Sequence, residues 1–121
     1  MPEQSLTILV VEDEPLVRMD IADHLEDMGF EVLTAANADA AIEMLDLHRQ
    51  IQVMFTDVDM PGSMDGLKLA AAVRDRWPPV RIIVTSGHRN VTLADLPLDS
   101  RFFGKPYDAT AIARAAREMV V

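Results

Sequence analysis

The chain has 121 residues, half of them hydrophobic and 26% charged, which suits one compact domain spanning residues 1–121 and excludes disorder as its default state. Twenty acidic residues against 11 basic ones leave a net charge of −9, so nucleic acid and anionic membrane surfaces, which reward clustered Lys and Arg, are not expected as direct partners. Cysteine is absent, which removes disulfides and thiolate metal sites, and the polar start MPEQS with no long apolar run leads us to expect a cytoplasmic protein without signal peptide or membrane span.

Residues 6–11 (LTILVV) form a β-branched apolar run that predicts a strand buried on both faces. The acids Glu12, Asp13 and Glu14 and then Pro15 predict the first turn of a helix, with acids favouring its dipole and the proline at its start. Leu16, Val17, Ile21, Leu25 and Met28 recur at helical spacing, and Gly29 is the expected stop. A second unit follows, with a strand at 31–34, Asn37 as N-cap, and a helix over 40–47 that turns Ala41, Ile42 and Leu45 inward. The third strand, 51–56, runs into VMFTDVDMPG, and a helix over 65–77 ends at Pro78-Pro79. Strands at 80–85 and 101–103 and a helix over 109–120 complete the pattern. Between them, residues 90–100 supply only Val91, Leu93 and Leu96 before Pro97, so a fourth helix there is expected to be short or irregular. Alternating strands and helices with short connections predict an α/β domain, a doubly wound parallel sheet of five strands.

In open parallel sheets, ligands gather beyond the carboxyl ends of the strands, where strand order reverses. Those ends carry Glu12 and Asp13, Asp57, Ser86 with Gly87, and Lys105-Pro106. Singly, each is also a surface charge or a turn former; together they place three carboxylates, a hydroxyl and an ammonium on one edge. Carboxylates within roughly 5 Å of each other repel by about 3 kcal/mol per pair at an effective dielectric near 20, which a cation relieves. An oxygen-only donor set suits Mg²⁺ (or Mn²⁺). With such an ion in place Asp57 is suited to act as a nucleophile toward phosphorus, with Lys105 and Ser86 neutralising the phosphoryl oxygens.

The segments VVEDE (10–14), Asp57-x-x-Met60-Pro61-Gly62, Thr85-Ser86-Gly87 and Phe103-x-Lys105-Pro106 occur in this order over the whole chain. Together they closely resemble the receiver domain of bacterial response regulators. The resemblance implies a flavodoxin-like (βα)5 sheet of order 2-1-3-4-5 and Asp57 as the residue phosphorylated by a histidine kinase or a histidine phosphotransfer protein. It also implies Glu12 and Asp13 as metal ligands beside Asp57, with the backbone carbonyl of Asp59 completing the shell. Ser86 and Lys105 are then phosphoryl contacts, Ser86 and Phe102 the switch pair, and an unnamed downstream protein the recipient of the signal. The side chains of Asp59 and of His88, two positions after Ser86, are expected to tune water attack on the acyl phosphate. Departures from the common pattern are an extra residue between Pro61-Gly62 and Asp65-Gly66, the poor fourth helix, Tyr107 in place of Phe, and Phe rather than Tyr at 102. The acceptor site is untouched by them; the output surface is not.

Two rivals remain to be weighed. Asp57-Val58-Asp59 after an apolar strand resembles the nucleophile and general acid of haloacid-dehalogenase-type phosphohydrolases, but it lies on the third strand, its acidic partners precede it, and no length remains for a cap. A receiver-like module that no longer takes phosphate would lack some of the site residues, and here all are present. Beyond self-catalysed phosphorylation and slow dephosphorylation no enzyme activity is expected. The sequence ends after its last helix, so no output segment is expected within it; a stand-alone regulator and a receiver from a longer protein both stay open, with Met1 slightly favouring the former.

Overall fold

The computed structural model describes residues 5–59, 66–87, 96–97 and 99–120. Its elements, in chain order, are β1 (Thr7–Val11), α1 (Pro15–Asp27), β2 (Glu31–Ala35), α2 (Ala38–Leu47), β3 (Val53–Asp57), α3 (Gly66–Arg76), β4 (Arg81–Ser86), β5 (Arg101–Gly104) and α4 (Ala109–Val120). All strand pairs are parallel, and the sheet order is β2-β1-β3-β4-β5. This is the expected flavodoxin-like doubly wound sheet. The expected short helix within 90–100 falls almost wholly outside the described residues.

The face on which each helix packs follows from the strand order and the handedness of crossovers. β1 steps one way to β2, and the chain then reverses and passes β1 to reach β3, so right-handed connections send α1 to one face and α2 and α3 to the other. The packing agrees. Ile8, Val10, Phe55 and Ile83 meet Ile21 and Leu25 of α1 and Ile112 and Ala116 of α4. Leu9, Val11, Met54, Ile82 and Val84 meet Leu45 of α2 and Leu69 and Val73 of α3. The three inner strands are buried almost throughout, whereas β2 and β5 sit at the edges and are half-exposed. That division explains why the inner strands carry apolar residues on both faces, as in Val53-Met54-Phe55 and Ile82-Ile83-Val84.

Local signals in the sequence hold at the helix ends. Asn37 is extended and its side chain accepts the Ala40 N–H at 2.8 Å, and Gly29 takes φ +97°, a conformation glycine adopts without steric cost. The end of α1 is clasped further by Arg117 of α4, which donates to the Met28 carbonyl and lies over the Phe30 ring at 4.7 Å from its centroid.

Two expectations about α1 need correction. Its first turn contains no acid: Glu12 and Asp13 precede the helix, and Glu14 is an N-cap whose side chain makes no capping bond. Leu16 and Val17 do not face the core but are 77% and 38% exposed; the buried stripe is Ile21, Ala22 and Leu25. The first turn stands at the carboxyl edge of the sheet, where Val17 borders an open cleft instead of a packed layer. Helical periodicity identifies a helix face but not how far along the helix its cover extends.

Candidate functional site

β3 pairs with β4 so that Asp57 lies opposite Thr85 on the last rung. β1 ends one residue before Glu12, whose N–H pairs with Ala35, and Lys105 follows β5 with its N–H on the Ser86 carbonyl. The parallel register therefore delivers Glu12, Asp57, Ser86 and Lys105 to the same edge, at the point where chain order reverses between β1 and β3. An open cleft of about 710 Å³ lies over it, bordered by Glu12, Asp13, Asp57, Asp59, Lys105 and Tyr107.

Glu12, Asp13 and Asp57 each present a carboxylate oxygen, and the three lie within 4.8 Å of one another. Glu12 and Asp57 are buried and Asp13 is half-buried. Burial is the chief reason that Glu12 is raised to about pKa 7, with hydrogen bonding to Asp13 and the charge of Asp57 adding to it and the Glu14 N–H, bound at 2.9 Å, opposing it. An all-oxygen set of three converging acids, one of them held protonated near neutrality by its surroundings, fits a hard divalent cation and suits neither a thiolate nor an imidazole metal.

On the other side of Asp57, Lys105 Nζ donates to Oδ2 at 2.6 Å. Burial draws the lysine down, but the hydrogen bond and charge of Asp57, with Glu12 and Asp59 beyond, outweigh it and leave the ammonium raised above its usual value. Asp57 Oδ1 accepts the Asp59 N–H at 2.9 Å. The Asp59 carboxylate reaches across to the end of β4, where Ser86 Oγ donates to both its oxygens at 3.2 Å and the Gly87 N–H donates to Oδ2 at 3.1 Å. A hydrolase reading requires this carboxylate as a general acid beside Asp57; here it is engaged with the Ser86 hydroxyl at the end of β4 and the Gly87 N–H just beyond it.

Phe102 pairs with Val84 and Gly104 with Ser86, so Phe102 shares a sheet face with Ser86 one alternation away, half-buried against the α2/α3 core. His88, Pro61, Gly62 and Asp65 lie outside the described residues.

Three neighbours of the site were not singled out for it by sequence. Arg18 Nη1 donates to the Glu12 carbonyl at 2.8 Å, folding an α1 side chain back onto the acidic loop. No local pattern signals such a contact. Gly66 sits so close to β3 that a Cβ there would lie 2.2 Å from the Asp57 carbonyl oxygen, and a glycine opening a helix was the available clue. Tyr107, noted only as a departure from the family pattern, borders the cleft and meets Phe55 edge to face at 5.2 Å. Burial and then the charges of Glu12 and Asp57 push its hydroxyl up to about pKa 12, so it stays protonated.

The family model described as response regulator receiver domain matches residues 8–117. The sensor kinase CckA of Brucella abortus is 34% identical over 120 residues, which is 96% of this chain and 13% of CckA. The transcriptional regulatory protein FixJ of Azorhizobium caulinodans is 36% identical over 121 residues, 97% of this chain and 56% of FixJ. The chain thus spans less than two thirds of the length of either relative. A response regulator receiver protein from Sinorhizobium medicae superposes with a TM-score of 0.87 at 29% identity, covering 97% of this chain and 95% of that one.

Proposed function

The chain belongs to the response regulator receiver domain family, and from that membership and the surroundings of Asp57 we propose that it accepts a phosphoryl group on Asp57 from a phosphohistidine. The observation that carries this reading is the convergence of Glu12, Asp13 and Asp57 within 4.8 Å beside a lysine bound at 2.6 Å. Glu12, Asp13, Asp57 and the backbone carbonyl of Asp59 would hold Mg²⁺ (or Mn²⁺), which supplies positive charge against the phosphoryl oxygens.

An Asp57 carboxylate oxygen attacks phosphorus, the phosphorus–nitrogen bond of the donor breaks, and the electron pair leaves with the imidazole, which takes up a proton. Lys105 keeps its charge throughout, and its ammonium passes from the Asp57 carboxylate to a phosphoryl oxygen. Ser86 Oγ and the Gly87 N–H are the nearby donors for another. The chain supplies position and electrostatics in both directions, so the acyl phosphate forms by self-catalysis and is lost slowly to water. Asp59 and His88 are the residues we assign to tuning that loss.

The switch is the movement of Ser86 toward the phosphoryl group with Phe102 following on the same sheet face. Phe102 has no hydroxyl, so its contribution is volume rather than a hydrogen bond. Shifting a two-state face from 1:99 to 99:1 requires about 5.5 kcal/mol of differential stabilisation, within reach of a dianion newly bound to a cation, an ammonium and a hydroxyl. The partners are then a histidine kinase or histidine phosphotransfer protein and a downstream protein, without nucleic acid or membrane. The setting is cytoplasmic; among the described residues no helix is long and apolar enough to cross a membrane. Residues 1–121 act as a single receiver unit.

Incubation with labelled acetyl phosphate and Mg²⁺ should label wild type and not Asp57→Asn, and beryllofluoride should bind only wild type. A wild type that neither labels nor binds beryllofluoride refutes the reading.

A further inference from the structure

Two donors at the carboxyl end of β4, the Ser86 hydroxyl and the Gly87 N–H just beyond the strand, are already engaged by an anion. Ser86 Oγ lies 3.2 Å from both Asp59 carboxylate oxygens, and the Gly87 N–H lies 3.1 Å from Oδ2. The backbone of Asp59 is itself tied to the Asp57 carboxylate at 2.9 Å, so its side chain hangs between the acceptor and the end of β4. Each of these donors has one proton, and a donor directed at Asp59 is lost to any other acceptor. A phosphoryl group on Asp57 carries its oxygens toward the same two protons. It is also an anion, and two anions at hydrogen-bonding distance from the same donors repel.

We propose that Asp59 is a resident competitor for the phosphoryl group: its carboxylate occupies the Ser86 and Gly87 donors in the resting fold and has to leave them when Asp57 is modified. This rests on the phosphoacceptor reading and adds a residue that sets how readily the modified state forms. Resting Ser86 is held by Asp59, and phosphorylation is an exchange of one anion for another at the end of β4. The displaced carboxylate has somewhere to go, because Asp59 borders the open cleft. The Asp59 backbone carbonyl is unaffected by a change of side chain, so removing the competitor leaves the proposed cation donors in place.

The test is a double-mutant cycle read by beryllofluoride affinity at saturating Mg²⁺, using wild type, Asp59→Ala, Ser86→Ala and the double variant. Asp59→Ala should bind about tenfold more tightly than wild type, the equilibrium value of one charge-assisted hydrogen bond. That gain should shrink to about threefold in the Ser86→Ala background, because one of the two shared donors is gone and only the Gly87 N–H remains. Asp59→Asn, which removes the charge but keeps an acceptor oxygen, should fall between wild type and Asp59→Ala. The Gly87 amide proton should move upfield in the spectrum of resting Asp59→Ala as it loses its carboxylate partner. Equal affinity of Asp59→Ala and wild type overturns the proposal. So does an equal gain with and without Ser86, or in Asn and Ala alike, since repulsion through space predicts both. Absence of beryllofluoride binding by wild type overturns the phosphoacceptor reading and this inference with it, whereas binding by wild type without a gain in Asp59→Ala overturns this inference alone.

Discussion

Mg²⁺ binding should depend steeply on pH around neutrality, and Glu12 is the reason. Its carboxyl is raised from 4.5 to about 7, first by burial and then by Asp13 and Asp57. A cation ligand has to be deprotonated, so binding requires the proton to leave. With a pKa near 7, roughly nine tenths of the molecules have an ionised Glu12 at pH 8 and roughly one tenth at pH 6, and apparent Mg²⁺ affinity should fall about tenfold between them. At pH 6.5 binding should release about 0.8 proton, measurable by titration calorimetry in buffers of different ionisation enthalpy. Stability without metal moves oppositely. Folded Glu12 keeps its proton up to about pH 7, whereas an unfolded glutamate loses it near 4.5, so Glu12's contribution to stability is fully present below 4.5 and lost as pH rises through 7. Saturating Mg²⁺ should reverse that slope. Glu12→Gln should remove the pH dependence and weaken binding at pH 8. An affinity unchanged from pH 8 to 6, or proton release that survives in Glu12→Gln, refutes the reasoning.

Two structural predictions accompany it. Asn37→Ala removes the acceptor of the Ala40 N–H at the start of α2 and should lower stability by about 1 kcal/mol, read as a lower urea midpoint with an unchanged slope. Gly66→Ala places a methyl group 2.2 Å from the Asp57 carbonyl oxygen and 2.6 Å from Val58 Cα, both backbone atoms, and should lower stability by at least about 2 kcal/mol while displacing Asp57 and weakening beryllofluoride binding. A melting temperature and affinity equal to wild type would show that α3 can yield there without disturbing β3.

The inner strands, the helix caps at Asn37 and Gly29, and the acids and lysine of the site were legible because each is written in local pattern: apolar runs, a capping residue, a glycine, motif segments in order. Boundary errors of one or two residues fell at the ends of strands and helices: β3 begins at Val53 rather than 51, and α2 at Ala38 rather than 40. Asp57 and Ser86 are the last residues of β3 and β4 rather than the first of loops, because ladder pairing with neighbouring strands extends past the apolar run. Arg18 folding onto Glu12 and Gly66 pressed against β3 left no trace in spacing, since both are contacts between elements. Leu16 and Val17 satisfied helical periodicity yet found no layer to cover them.

The sequence by itself determined the alternation of strands and helices, the family, and which residue types stand at the carboxyl ends. It did so because those features depend on period, capping and short motifs that neighbouring residues fix among themselves. Tertiary structure alone decided that Asp59 faces Ser86 and Gly87, that Lys105 meets Asp57 at 2.6 Å, and that Glu12 is buried enough to hold a proton near pH 7. Those depend on parallel register between strands far apart in the chain and on the desolvation it produces, and no stretch of sequence carries either.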